Sequence, residues 1–474
     1  MEFFFAVFFL LFYNIRPHDW LPGLQGVELV KPIIACWVLS LVAIRSRPSP
    51  LPGYFRTPHD WIVLAYLVYI VFFGDASLMG VLPFLAFYVL TVQSVNTWER
   101  LFAYLKFWVF ALITVALFGA MTSIGIDVTG AQSNWFTQMG RLALGTFLHN
   151  NPNSLGHTII AALPAAFILY FQRSSILSRL FLFPALAAIV IHCAVLTQSK
   201  GTYLVGGALM TIAIILGRPR WFQAIFLAAA LVGGVSALSF LPRMSDMNNL
   251  SADEGVQGRV LAWEQARTTE KANHTGIGYG QFIASIPWRE GNYFLVVRKA
   301  THSSYVQVGA DLGRYGLFFF LAGLWASLHT LIVFRAQNVV QEKCQRILVI
   351  LIMGYVLSGW LINRQYHTEY FLLIAAAASL HRLRKAEELQ ESASGADSAS
   401  REKGRKSPWQ RAKRAWERRR PAAWKLEERA VFSPDLEQRR LKPFWNRFGI
   451  ADIAVCIGLT WLTFWTWDYL MSSI

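Results

Sequence analysis

The sequence predicts an all-α polytopic membrane protein: about 12 transmembrane helices, a further C-terminal span and one large, partly helical external loop. Three observations carry that prediction. Of the 474 residues, 55% are hydrophobic and only 15% are charged, a balance that a soluble chain of this length would not show. The apolar residues come in long runs rather than at amphipathic spacing, and about 20 such residues cross a ~30 Å hydrocarbon core. Basic loops alternate with loops poor in cations, as the positive-inside rule requires. Lipid forces every backbone group to be paired within a helix or a closed barrel, so strands are not expected.

In order along the chain, apolar runs lie near 1–15, 29–45, 61–74, 77–95, 101–125, 155–172, 180–198, 202–217, 221–241, 306–334, 346–363 and 367–381, with a last one near 449–471. The first run has no basic stretch before it and no small-residue cleavage site after it, so it reads as a span rather than a signal peptide. With the N-terminus inside, one set of loops carries Arg45, Arg47 and Arg56, then Arg100 and Lys106, Arg173 and Arg179, Arg218 and Arg220, and Arg335, Lys343 and Arg346. The alternate loops carry Arg16, Asp75, Arg141, Lys200 and Arg364, together with a polar interval at 242–305. That interval therefore faces outward, to the periplasm of a cell with two membranes.

The expected organisation is a multi-span membrane domain over 1–381, a basic cytoplasmic tail over 382–447 and a transmembrane anchor over 448–474. Much of the +16 net charge sits in the tail, beside Trp409, Trp416 and Trp424. Such a segment points to anionic lipid headgroups or a protein partner, and not to nucleic acid. Cys36, Cys193, Cys344 and Cys456 lie in or near apolar runs without metal-ligand or redox spacing, so they read as small hydrophobes. The tetrapeptide Pro-His-Asp-Trp occurs at 17–20 and again at 58–61, and reads as an interfacial tryptophan anchor.

Most of the candidate chemistry lies on the outward set of loops. Lys200 occupies a very short hairpin, where a cation either snorkels to the interface or grips an anion. Arg259 follows Gly258 and precedes Trp263 by one helical turn, the pattern of a short helix laid on the membrane with the indole on its apolar side. Its guanidinium fork suits phosphate oxygens; a salt bridge to Glu264 or Asp253 is the alternative. His302 stands just before a span, flanked by Thr301, Ser303 and Ser304. It is either an interfacial or capping residue or a base for a hydroxyl near neutral pH. Gly276, Gly278 and Gly280 lack the Gly-Lys-Ser/Thr of a phosphate loop, and read as a turn that lets backbones approach. In Asn150–Asn151–Pro152–Asn153, either Asn153 or Ser154 is placed to cap the following helix, or the asparagines line a polar cavity. No metal site and no cofactor is expected, since the ten histidines show neither His-x-x-x-His nor Cys-x-x-Cys partners.

Taken in order, Asn-Pro-Asn at 151–153, Ser-Lys-Gly at 199–201, Gly258–Arg259 with Trp263, Thr-Gly-Ile-Gly-Tyr-Gly at 275–280, His302, and Gly313–Arg314–Tyr315–Gly316–Leu317 resemble the O-antigen ligase and polymerase superfamily. The resemblance covers roughly 141–320. It implies a membrane glycosyltransferase of C type in the bacterial inner membrane. The glycan donor is carried on undecaprenyl pyrophosphate, the acceptor is a lipid, protein or glycan hydroxyl, and transfer needs no metal. By the same resemblance, Lys200 and Arg259 hold the donor pyrophosphate and His302 is the catalytic base. Gly258, Trp263, Asn151, Asn153, Ser303 and Arg314 support them. Members often carry Arg at the position of Lys200 and His-Asn at that of His302–Ser303, so the fork and an orienting amide are lacking here. Ligation, repeat-unit polymerisation and protein O-glycosylation stay open within the class, with a lipid-linked glycan transporter as the reading outside it.

Overall fold

The computed structural model describes residues 1–44, 57–238, 254–290, 293–404 and 448–473. The start of the polar interval, with Asp253, and most of the basic tail lie outside the described residues. Each apolar run named above is largely helical over its described residues. The helices are α1 (Glu2–Ile15), α2 (Val30–Ile44), α3 (Pro58–Phe73), α4 (Leu78–Ser94), α5 (Trp98–Thr122), α6 (Pro152–Phe171), α7 (Ser178–Thr197), α8 (Lys200–Ile215) and α9 (Arg220–Leu238). The polar interval contributes α10 (Glu254–Ala272) and an antiparallel hairpin, β1 (Ala284–Glu290) with β2 (Tyr293–Lys299). Then follow α11 (Ser304–Val333), α12 (Val339–Ser358), α13 (Thr368–Gly404) and α14 (Ile450–Ser473). By length and composition α5, α6, α7, α11 and α14 can each cross a membrane, while α1–α4, α8 and α9 are apolar but shorter.

Local sequence accounts for the helix starts. Thr57 and Asp60 form a reciprocal capping box with Pro58 at the first helical position. Ser77, Thr97, Ser199, Ser303 and Asn338 each accept from a backbone amide one turn on. Such caps are worth about 1 kcal/mol apiece. The Pro-His-Asp-Trp repeat is thus helix-starting grammar: at 58–61 it opens α3, and at 17–20 it makes a single helical turn in which Arg16 pairs with Asp19. His59 and Asp60 are buried and Trp61 is exposed.

The all-α expectation needs one amendment. The hairpin pairs Ile286 with Val297 and Ala284 with Lys299. A paired edge is tolerable there because the interval is polar and its open edge can be solvated. The hairpin packs against α10, and α10 packs against α11 and α14. Ala262, Trp263, Ala266, Phe282, Ile286, Val306, Ala310 and Trp467 form this satellite core. Cys193, Cys344 and Cys456 are buried as expected of small hydrophobes, whereas Cys36 is exposed.

α11 is the axis of the fold and packs on α3, α10, α12, α13 and α14. It breaks at Gly313, where φ is 65° and ψ is −167°. A Cβ there would sit 1.9 Å from the His274 carbonyl oxygen, so only glycine fits. The glycine run at 276–280 inserts into the break. Gly278 N–H donates to Asp311 O at 2.8 Å, Ile277 N–H to Ala310 O at 3.3 Å, and Tyr279 N–H to Gly74 O at 2.6 Å. Tyr69 OH donates to Leu312 O at 2.9 Å. The carbonyls freed by the break are therefore re-satisfied, as buried backbone groups must be. The run is the close-approach turn expected, and Gly276 itself would clash with Asp311 O at 2.2 Å if it bore a side chain.

Candidate active site

The site is built where α11 begins. Ser303 caps α11, accepting from Val306 N–H and donating to Gly359 O at 3.2 Å. Ser304 N–H donates to Gly359 O at 2.6 Å, and its hydroxyl to Ile362 O at 2.8 Å. These bonds clamp the α11 start to the connection between α12 and α13. His302 precedes the cap with φ of 51°, a left-handed conformation that costs free energy in a residue other than glycine. Its neighbours Thr301 and Ser303 are fully buried, and the Thr301 carbonyl accepts from the Trp263 indole at 2.7 Å. The backbone on either side of His302 is thus fixed.

Two cations act on that imidazole. Burial first, then Arg259, then Lys299 push His302 from its ordinary 6.5 down to about 4. It is therefore neutral at physiological pH and able to accept a proton. Lys299 ends β2, and its ammonium lies against Gly258 on α10: a Cβ at 258 would meet Lys299 Nζ at 2.4 Å. Gly258 therefore makes room for Lys299 next to Arg259.

Arg259 also acts electrostatically on His157, in the first turns of α6. His157 Nδ1 lies 2.9 Å from Ser358 Oγ, and a Cβ at Gly201 would meet His157 Nε2 at 2.8 Å. The Ser199–Lys200–Gly201 start of α8 is thereby brought beside the groups that feel Arg259. Arg364 donates to His157 O at 3.2 Å and to Thr158 Oγ1 at 2.8 Å, and pairs with Glu369 at 3.1 Å. Through its bonds to His157 and Thr158, Arg364 ties the α12–α13 connection to α6.

The other residues singled out in the sequence fall as follows. Asn151, and not Asn153 or Ser154, caps α6; its side chain accepts from Asn153 N–H at 2.9 Å because Pro152 takes the first helical position. Asn153 Oδ1 accepts from Arg141 at 3.2 Å, and Arg141 also donates to Thr197 O at 3.3 Å, just before the Lys200 turn. Trp263 does not face lipid. α10 is a full helix packed on the protein, and the Trp263 ring is nearly buried, 6.1 Å from Trp360. Ser303 is a cap, a role asparagine fills equally well. Arg314 pairs with Glu270 at 3.0 Å and with His274 Nδ1 at 2.9 Å, fastening the end of α10 to the break in α11.

The C-terminal helix, expected as an extra anchor, reaches this site. The Trp467 indole donates to Trp263 O at 3.2 Å. Arg267 of α10 forks onto Asp468 with both bonds at 2.8 Å, and lies 4.7 Å from the Phe464 ring centroid. Lys299, Arg364 and Trp467 were not picked from the sequence. Lys299 had one signal, a cation three residues before the candidate base; the other two become visible only through long-range contacts.

Fold and site together define a multi-pass helical membrane protein with a neutral histidine set among cations at the edge of the bundle. A family model described as O-Antigen ligase matches residues 185–321, the stretch from α7 to the middle of α11. Over that stretch the chain is similar to the O-antigen ligase family, and the activity this similarity supports is glycosyl transfer of ligase or polymerase type. No curated protein matches the chain.

Proposed function

We propose that the chain moves a glycan from undecaprenyl pyrophosphate to an acceptor hydroxyl at the periplasmic face of the bacterial inner membrane. The observation that carries this reading is the meeting of Arg259 and Lys299 on a histidine that stays neutral. His302 takes the proton of the acceptor hydroxyl as its oxygen attacks the anomeric carbon. The bond between that carbon and the pyrophosphate oxygen breaks, and its electron pair leaves with the lipid pyrophosphate. Arg259, Lys200 and Lys299 hold the charge that develops there, in a partly buried site where fixed cations act more strongly than in water. Side chains thus perform the neutralisation that a divalent metal performs in other transferases. Holding both substrates at the α11 start removes much of the entropic barrier.

The low proton affinity of His302 comes from burial and from the charges of Arg259 and Lys299. An arriving pyrophosphate neutralises Arg259 and Lys299, which returns basicity to the imidazole when the acceptor needs it. The test is transfer by purified His302→Ala, given lipid-linked glycan and acceptor. Loss of transfer with donor binding intact supports the reading, and full activity overturns it. Analysis of the product separates single-unit ligation from chain growth and from protein glycosylation.

A further inference from the structure

Three helices run from the candidate site to a second cluster of charge. α6 starts at the site and ends at Phe171; α8 starts at Lys200 and ends just before Gly217; α12 starts at Val339, carries Arg346 two turns on and ends at Ser358. α8 has 16 residues, so the two clusters lie about 24 Å apart, at opposite ends of the bundle.

At that far end a cavity of about 300 Å³ is lined by Arg173, Arg179, Arg218 and Arg346, together with Phe167 and Phe171. It adjoins a second cavity of about 800 Å³, with which it shares Arg173, Gly217 and Arg346. The second cavity is walled largely by Leu216, Leu328, Leu331, Ile332, Val349 and Met353. Gly217 is built for the junction. Its φ is +75°, and a Cβ there would stand 2.2 Å from the Arg346 guanidinium. Glu342 pairs with both Arg173 and Arg346, so one carboxylate serves two guanidiniums, while Arg179 and Arg218 add two more cations to the smaller cavity.

Cations that only orient a membrane protein spread over its surface; these converge on one chamber that opens into an apolar one. Guanidinium forks match phosphate oxygens, and like charges gathered in a small space favour an anion between them. The two-part cavity repeats the two-part chemistry of a lipid. We propose that it holds one anionic glycerophospholipid, with its phosphate among Arg173, Arg179, Arg218 and Arg346 and an acyl chain in the apolar chamber.

The experiment uses the full chain, stripped of lipid in detergent and titrated with phosphatidylglycerol or phosphatidylcholine under native mass spectrometry. The wild type is expected to take up phosphatidylglycerol at about tenfold lower concentration, the preference that a single charge-assisted contact supplies. Arg179→Gln/Arg218→Gln changes only exposed side chains and should lose that preference, along with the thermal stabilisation that phosphatidylglycerol gives. Val349→Trp leaves every charge in place and fills the apolar chamber, so it should also abolish retention. Equal uptake of the two lipids, or undiminished preference in both variants, overturns the proposal. So does preferential occupation by undecaprenyl phosphate supplied at the same concentration.

Discussion

Replacing Trp467 tests whether the C-terminal helix serves the site or merely holds the chain in the membrane. The indole is fully buried, and a Cβ on Gly309 would come within 3.0 Å of its ring. Its N–H holds the Trp263 carbonyl at 3.2 Å, and Trp263 in turn holds the residue before His302 at 2.7 Å. Phenylalanine keeps most of the ring and deletes one neutral hydrogen bond, worth about 1 kcal/mol. Felt entirely in the barrier, that is about a fivefold loss of turnover. Alanine also removes a buried aromatic ring, about 3–5 kcal/mol, enough to loosen α10 and cost a hundredfold or more. The assay is transfer from lipid-linked glycan by purified protein, with kcat, KM and the pH profile measured for each variant. If α10 moves away, Arg259 recedes from His302, so the acid limb of the profile should shift upward along with the fall in kcat. A structural role alone would lower the yield of folded protein without moving that limb. Trp467→Ala with wild-type kcat and an unmoved profile would refute the chain of contacts from α14 to the base.

The remaining expectations concern the same cluster. His302 lies below its ordinary value, so the proton-accepting form should persist in the free enzyme until pH nears about 4, and kcat/KM should fall only below that point. With donor bound, the cations are neutralised and the acid limb of kcat should lie at higher pH; coincident limbs would remove the coupling. The same shift makes the folded state less stable as pH falls from 6.5 towards 4, because the unfolded chain takes up a proton that the folded one refuses; thermal unfolding of wild type against His302→Gln reads this difference. Arg259→Gln should both raise the His302 value and weaken donor binding, a combination seen as an acid limb displaced upward and a KM for donor raised by about tenfold or more. Gly258→Ala pushes aside only the flexible end of Lys299, so it should alter activity with little change in melting temperature. Gly313→Ala meets a fixed carbonyl in a backbone region closed to alanine, and should destabilise by about 2–3 kcal/mol or more in chemical unfolding.

Much of the architecture could be read from single residues and runs. Apolar runs gave the helices, since lipid leaves the backbone few other solutions. The glycines at 276–280 declared a close approach, and the break at Gly313 is what they approach. Singly, Arg259 suits a phosphate and His302 a hydroxyl proton; only the family resemblance pairs them. What stayed hidden is what depends on distant partners. The hairpin is short, only β1 alternates while β2 is a continuous apolar run, and the pair packs on α10. Arg364 looked like a loop cation until its bonds to Thr158 and Glu369 gave it a buried place. Asn151 was passed over as a cap because Asn153 and Ser154 stood nearer the apolar run, whereas the proline at 152 lets the helix start earlier. Trp263 meets protein instead of lipid because an amphipathic turn does not say which apolar surface it will meet.

The α14 contact has a consequence for how the protein comes into being. A ribosome makes Arg259, Lys299 and His302 long before it makes Trp467 and Asp468. During that interval α10 is held to α11 through Trp263 and Arg314 but lacks its bonds to Trp467 and Asp468. The outer face of α10 is therefore completed last, once the distal helix has inserted and docked.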